Sequence, residues 1–297
     1  MMTTITSPVH TAMPARRKKK TTTGTIFLRA AMGISLVGIL ALVLGPYIIM
    51  AFTSVTPRSE LTAAGANIIP SEFTFAAYQE LLATTPFLTY LGNSLTVAVI
   101  VVPVSLVLAT GAAIALSRFD FPGKSFFMAG LLLAQLFPAV LLVISLQGQL
   151  RSFSLLDSTI GLALVHIAFA TPFATWLLKG FADSIPRELE EAGAIDGASI
   201  TQVIRLLIFP LLVPGMVAAG TYAFILTWNE FLYALTCTSS TSTRTLPIGL
   251  HLFIGEYQIR WDLLTAGGVL SVLPVIVGFL IVQKRLVAGL AAGSVKG

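Results

Sequence analysis

The chain has 297 residues, of which 56% are hydrophobic and only 10% charged, and its mean hydropathy is +0.90. Soluble domains carry about a quarter charged residues, so this composition excludes a soluble enzyme and implies a membrane protein. The formal charge of +5 invites a nucleic-acid partner, but the run Arg16-Arg17-Lys18-Lys19-Lys20 stands just before an apolar segment, where it marks one side of a membrane instead. Cys237 has no intrachain partner, and His10, His166 and His251 offer no metal-ligand cluster, so redox and zinc chemistry are set aside.

In chain order, residues 1–25 read as a disordered basic tail, and residues 26–297 as a membrane domain. A helix needs about 20 apolar residues to cross the hydrocarbon core. Six stretches qualify: 30–57, 91–116, 125–150, 158–178, 206–229 and 263–283. The first is too long for a signal-peptide core of about 7–15 residues and reads as an uncleaved anchor. The loop 58–86 is long enough for a short amphipathic element but too short for a domain. Six spans put both termini on one side. That side collects fourteen Lys and Arg against four on the other (Arg58, Arg151, Arg244 and Arg260), which makes it cytoplasmic.

Pro46, Pro103, Pro138, Pro172, Pro210, Pro214 and Pro274 fall inside the spans. They either bend helices around a central cavity or reflect the ordinary frequency of proline in membrane helices.

Between the fourth and fifth spans lies a charged island, 183–203 and on to Pro210. Ser184 and Pro186 fit a helix start, and Glu188, Glu190 and Glu191 suit the positive end of a helix dipole. Asp196-Gly197 is a stop, because glycine takes the left-handed conformation without steric cost. Ser199 and Gln202 have capping-box spacing and start a second helix whose apolar face is Ile200, Val203, Ile204 and Leu207. Ala192, Gly193 and Ala194 give the first helix a thin side that a partner's groove could approach. The bland alternative is a loop that merely reverses the chain.

The island resembles the cytoplasmic signature of ABC importer permeases, Glu-Ala-Ala, three residues, Gly, nine residues, Ile, one residue, Leu-Pro. Here Glu191-Ala192-Gly193, Gly197, Leu207 and Phe209-Pro210 keep its spacing, with Gly193, Leu207 and Phe209 replacing Ala, Ile and Leu. Further stretches are similar to the carbohydrate (MalG-like) branch: Asn93-Ser94, Pro122-Gly123-Lys124, Leu155-Leu156-Asp157, Trp228-Asn229-Glu230-Phe231, Arg244-Thr245-Leu246-Pro247 and the last dozen residues.

The resemblance implies an all-α integral membrane protein with six transmembrane helices, both termini cytoplasmic, and a helix-turn-helix coupling loop between the fourth and fifth. Its importer core would cover about 89–285. It implies a bacterial cytoplasmic (inner) membrane permease of an ATP-driven sugar importer, probed for a di- or oligosaccharide first. Its partners would be a different second permease, a homodimeric ATPase, an extracytoplasmic sugar-binding protein and membrane lipid, with no nucleic acid. The ATPase-coupling residues would be Glu190, Glu191, Ala192, Gly193, Asp196, Gly197 and Pro210.

The chain has no nucleotide site of its own. Gly123-Lys124-Ser125 copies the end of a Walker A loop, but Arg118 occupies its first glycine position and no strand is expected before it. ATP and Mg would therefore sit on the partner ATPase, and this chain would bind no cofactor. Candidate substrate-path residues are Gln135, Gln147, Tyr222, Trp228, Asn229 and Tyr233, since amides and aromatic faces hold sugars. The competing reading makes the amides helix glue and the aromatics an interfacial belt. Glu230 reads as an outer-interface acid open to the binding protein, and His166 as a helix–helix hydrogen bond. A glycerol-phosphate or polyol importer is the alternative of the same architecture. An intramembrane hydrolase or proton-coupled carrier would need acids at depth, and none of the six stretches contains an aspartate.

Overall fold

The structure, a computed structural model, describes residues 23–63, 69–255 and 257–294, with the side chains of 23–27 and 284–294 outside the description. The tail 1–25 therefore lies outside it except for its last three residues, which already belong to a helix.

Thirteen α-helices follow in order among the described residues: α1 Thr23–Ser54, α2 Arg58–Leu61, α3 Ala76–Thr84, α4 Phe87–Arg118, α5 Lys124–Leu136, α6 Ala139–Ser152, α7 Thr159–Asp183, α8 Glu188–Ile195, α9 Ile200–Val203, α10 Phe209–Asn229, α11 Leu232–Cys237, α12 Leu246–His251 and α13 Trp261–Ser294. A π-helical turn, Ile204–Ile208, joins α9 to α10. The chain divides into two units, 1–49 and 50–297. The first unit is essentially α1. Apolar residues point in every direction from α1, and an 18-residue window within Leu28–Ser54 has a mean hydropathy of 2.4 with none of it buried, the pattern of a helix made for lipid rather than water.

In the second unit α4, α7 and α10 form the centre. Their contact is built from small residues, with Ala109, Ala113, Ala174 and Ala219 all fully buried, so the backbones approach closely and dispersion replaces the hydrophobic effect that lipid cannot supply. Outward-facing side chains such as Val107, Phe126, Leu136 and Ile144 are largely exposed and apolar, which is tolerable only in a hydrocarbon solvent. Among the described residues five helices are long and apolar enough to cross a membrane: α1, α4, α7, the helix from α9 through α10, and α13.

The expected third span, 125–150, is not one straight helix. It bends by 101° between α5 and α6 at Phe137-Pro138. Phe137 is extended (φ −74°, ψ 127°) and Pro138 likewise (φ −62°, ψ 122°), because a proline ring disfavours helical geometry in the residue before it. The bent pair nonetheless makes one traverse. The last residues of α4 and α7 meet at one end of the unit, where Arg118 bonds to Ala182, and their first residues lie together at the other, where Asn93 and Asp157 both reach the segment 239–244. The chain between them must change ends once, so α5 and α6 together are a broken span rather than a loop that returns.

Other boundaries shift by a few residues. The short element expected in 58–86 is α3, which buries Ala77 and Leu81. The fourth and sixth spans run on past their expected ends, to Asp183 and Ser294, so two aspartates that sequence reading kept outside the spans are helical: Asp183 in the last turn of α7 and buried Asp262 in the first turn of α13. Both sit where a bonded carboxylate is tolerated, at an end and beside a cation. Asp183 accepts from Lys179 at 2.6 Å, and Arg260 chelates Asp262 through Nε (3.0 Å) and an Nη (2.8 Å).

Candidate functional site: the island at the end of α7

α7 ends where Ser184 caps its C-terminus, the Ser184 hydroxyl donating to the Phe181 carbonyl at 2.7 Å. Ser184 is thus the stop of the fourth span and not, as its type suggested, the start of the next helix. Arg187 takes that position and caps α8 through its backbone carbonyl, which accepts from the amides of Glu190 (2.9 Å) and Glu191 (3.1 Å). The three acids of the first turn are left to face the helix dipole.

The stop at the other end forms as its residues imply. Gly197 has φ +81°; Ala198 donates to the Gly193 carbonyl at 2.9 Å and Gly197 to Ala194 at 3.1 Å, the paired bonds of a Schellman motif. Ser199 and Gln202 then form a complete capping box, with the Ser199 amide donating to Gln202 Oε1 at 2.8 Å. Pro210 explains the π turn that follows. Lacking an N–H, it cannot bond to the Leu206 carbonyl, and its ring would strike that carbonyl in a regular helix. Widening the backbone over Ile204–Ile208 moves the clash away while Phe209 bonds back to Ile204.

Exposure divides the seven coupling candidates. Glu191, Ala192, Asp196 and Gly197 are exposed on α8 and its turn, together with Ile195 at 86% and Leu189 at 45%. Glu190 and Gly193 point inward. Gly193 offers its thin side to its own chain and not to a partner: a Cβ there would lie 3.0 Å from Leu207 Cδ1 and 3.3 Å from Val203 Cγ2. Pro210 is a backbone device inside α10. The apolar face of the second helix is as expected at Val203, Ile204 and Leu207, which pack against Phe181, Ile185 and Ile208, whereas Ile200 is exposed.

Sequence reading missed the anchor of the island, Arg118. Its side chain is only 8% exposed; Nε lies 2.5 Å from Glu190 Oε1, one Nη donates to Ser117 Oγ and the Ala182 carbonyl (both 2.9 Å), and the other to the Ile185 carbonyl (3.2 Å). Ser117 in turn donates to Asp183 at 2.6 Å, and Arg187 reaches the Ser117 carbonyl at 3.4 Å. A cation ending an apolar run was the only local hint, since its partners lie far along the chain.

The six path candidates fare differently. Gln135 donates to the Phe169 carbonyl (2.9 Å) and Gln147 to the Thr236 carbonyl, each tying two helices together, whereas Asn229 donates to Ile225 one turn back in its own helix (2.9 Å). Trp228 is buried against Phe224. Tyr233, also buried, stacks on Phe169 of α7 (centroids 4.9 Å apart), and Tyr222 lies tilted against Phe173 (4.1 Å), with Trp176 a further 5.9 Å from Phe173. Phe169 and Phe173 were invisible as candidates because phenylalanine is ordinary in any span. Glu230 is not an open outer acid. It caps α11 by accepting from the amides of Tyr233 (2.7 Å) and Ala234 (3.0 Å), and it meets buried His166 at 3.2 Å. A depression of about 400 Å³ beside α5 and α7, lined by Met128, Trp176, Leu177 and Phe181 with Lys179 and Asp183 at its edge, touches none of the six except through Trp176's row. The Walker-like Gly123-Lys124-Ser125 follows helix α4, not a strand, and begins α5.

Comparison with known proteins agrees with this architecture. Residues 102–291 match the family model of the binding-protein-dependent transport system inner membrane component. The chain is 37% identical over 246 residues to the trehalose transport system permease protein SugB of Mycobacterium tuberculosis, covering 82% of this chain and 89% of that one. It is 34% identical over 252 residues to the sulfoquinovosyl glycerol transport system permease protein SmoH of Agrobacterium fabrum, covering 85% and 88%. A solved bacterial ABC transporter involved in import of the acidic polysaccharide alginate shares the fold, with a TM-score of 0.76 at 23% identity over 90% of this chain and 99% of that chain.

A multi-pass helical fold with a capped island at one end is therefore that of an ABC importer permease, a transport subunit whose ATP hydrolysis belongs to a separate ATPase. The chain belongs to the binding-protein-dependent transport system inner membrane component family.

Proposed function

We propose that this chain is one permease of a carbohydrate importer in the bacterial cytoplasmic membrane, working with a different second permease, an ATPase dimer and an extracytoplasmic binding protein. The observation that carries the proposal is the exposed face of α8, where Glu191, Ala192, Ile195 and Asp196 stand clear of the chain's own packing beside a Schellman turn. Exposed charge and apolar surface together on one short, doubly capped helix suit insertion into a partner's groove. The excess of Lys and Arg on this side supports placing it in the cytoplasm, where ATP is. ATP-driven closure of the ATPase would draw two such helices together and rotate the spans, the domain-closure form of alternating access.

For the solute, a di- or oligosaccharide is supported by the kinship with a trehalose permease and by the row of rings from Tyr233 through Phe169 and Phe173 to Tyr222. Sugars present apolar faces that lie against such rings. Each of the three amides proposed from sequence gives one N–H to a backbone carbonyl and keeps its oxygen as an acceptor. The experiment is to reconstitute the complete importer and present trehalose, maltose and diacetylchitobiose with the binding protein. One of these is expected to raise ATPase activity, and Phe173→Ala to weaken that response; a panel in which only glycerol phosphate or a polyol stimulates would overturn the substrate class.

A further inference from the structure

We propose that Arg118 is a positioning residue for transport, a strut that carries any movement of α8 into α4 and α7. The inference rests on the reading of α8 as the docking helix and adds how its movement reaches the spans. Along the chain α8 is joined to α7 only by Ser184 to Arg187, four residues without helical structure. Such a linker bends before it pushes. Arg118 bypasses it, because one guanidinium touches the last turn of α7 at Ala182, the linker at Ile185 and α8 at Glu190, while standing at the end of α4.

The chemistry suits a strut. A guanidinium is planar, permanently charged and presents its donors in a fixed fork, so one group can bond the two carbonyls and hold Glu190 by charge at the same time. Its 8% exposure keeps water from substituting for those partners. Ser117 and Asp183 close the same joint from the side, and Lys179 holds Asp183. Beyond the joint, α4 and α7 meet through fully buried alanines, so they move as one body. Without Arg118, α8 would still carry its exposed face and stay held to α9 at its far end, but its first turn would be tied to α4 and α7 through the linker alone.

The test uses the assembled importer with spin labels at two exposed positions, Glu188 at the start of α8 and Val107 on α4. Their separation is read with and without a non-hydrolysable ATP analogue and Mg²⁺. With Arg118 intact it is expected to stay constant, since both positions ride on one body. In Arg118→Met the ATPase is expected to co-purify as before, the separation to change on adding nucleotide, and sugar imported per ATP to fall about fivefold or more. Arg118→Lys, with charge but no fork, is expected to fall between. A nucleotide-independent separation in Arg118→Met, or loss of the ATPase from that complex, would overturn the strut. Should Arg118→Met fail to reach the membrane, Glu190→Gln leaves the carbonyl bonds in place and carries the same two outcomes. Failure of the docking reading itself would show elsewhere, as undiminished ATPase recovery with Glu191→Lys.

Discussion

The two polar ends of the α4–α7 core differ in what they leave unspent. At the end away from α8, three of the stretches similar to the carbohydrate branch, at Asn93-Ser94, Asp157 and Arg244-Thr245-Leu246, converge on the segment 239–246. Asn93 donates to the carbonyls of Ser242 (2.9 Å) and Arg244 (2.8 Å), Ser94 accepts from the Leu246 amide (2.8 Å), and Asp157 accepts from the amides of Ser239 (2.8 Å) and Ser240 (3.1 Å) and from the Thr243 hydroxyl. These motifs hold the fold and keep little for a partner. At the α8 end Arg118, Ser117 and Asp183 are spent in the same way, yet Glu191, Ile195 and Asp196 remain open. A polar motif in a membrane protein is therefore a candidate for partner contact only after its internal bonds are counted, because desolvated polar groups are satisfied internally first.

The comparison breaks most readily at Gly197. Valine there would need a left-handed backbone that a β-branched residue resists, a strain of about 1–3 kcal/mol at the turn between α8 and α9. Gly197→Val is expected to abolish uptake while the subunit stays in the membrane, measured by solute accumulation and immunoblot of membranes. Normal uptake would place the open face elsewhere.

Next in size is Glu191→Lys, expected to lower ATPase co-purification about tenfold, the equivalent of about 1.4 kcal/mol. If Asp157→Ala lowered it equally, the contrast between the two ends would fail.

A smaller effect sharpens the α8 end. Gly193 and Leu207 both depart from the signature and touch each other, so they read as one matched exchange of bulk. Gly193→Ala is expected to cost about 1 kcal/mol through crowding against Leu207, and Gly193→Ala with Leu207→Ile to recover it, in thermal unfolding of the complex.

The smallest effect belongs to the closed end. The amides and hydroxyl around Asp157 hold its carboxyl well below the usual carboxylate range. A depressed folded-state pKa contributes stability that is fully present above the unfolded value of about 3.9 and is lost only as pH falls through the folded one. Protease nicking of the segment 238–245 is therefore expected to be the same at pH 7 and pH 5, and Asp157→Ala to raise it at both. A rise between pH 7 and pH 5 in the unaltered chain would contradict the cap.

Much of this was legible in advance wherever the cause was local. Gly197, the Ser199–Gln202 box and the spans of α4, α7 and α10 follow from residues within a turn or two of each other, and local chemistry fixes them whatever the rest of the chain does. Pro138 was legible as a disturbance but not as a bend of 101°, because the angle depends on α5 lying along α7 while α6 turns to α11. Ser184 was misassigned for a related reason: serine caps either end of a helix, and only the length of α7 decided which.

The amino-acid sequence by itself determined a membrane protein of apolar helices, a capped island between its fourth and fifth spans, and a spacing that resembles the importer signature. These depend on composition and on periodicities of a few residues. Tertiary structure alone decided which polar groups remain available. It turned Glu190 and Gly193 inward, bonded Gln135 and Gln147 to the backbone of other helices, brought Glu230 to His166, and set Arg118 at the joint of three helices. The bonds of Gln135, Gln147 and Arg118 depend on partners far along the chain, brought near only when small residues let α4 and α7 pack closely.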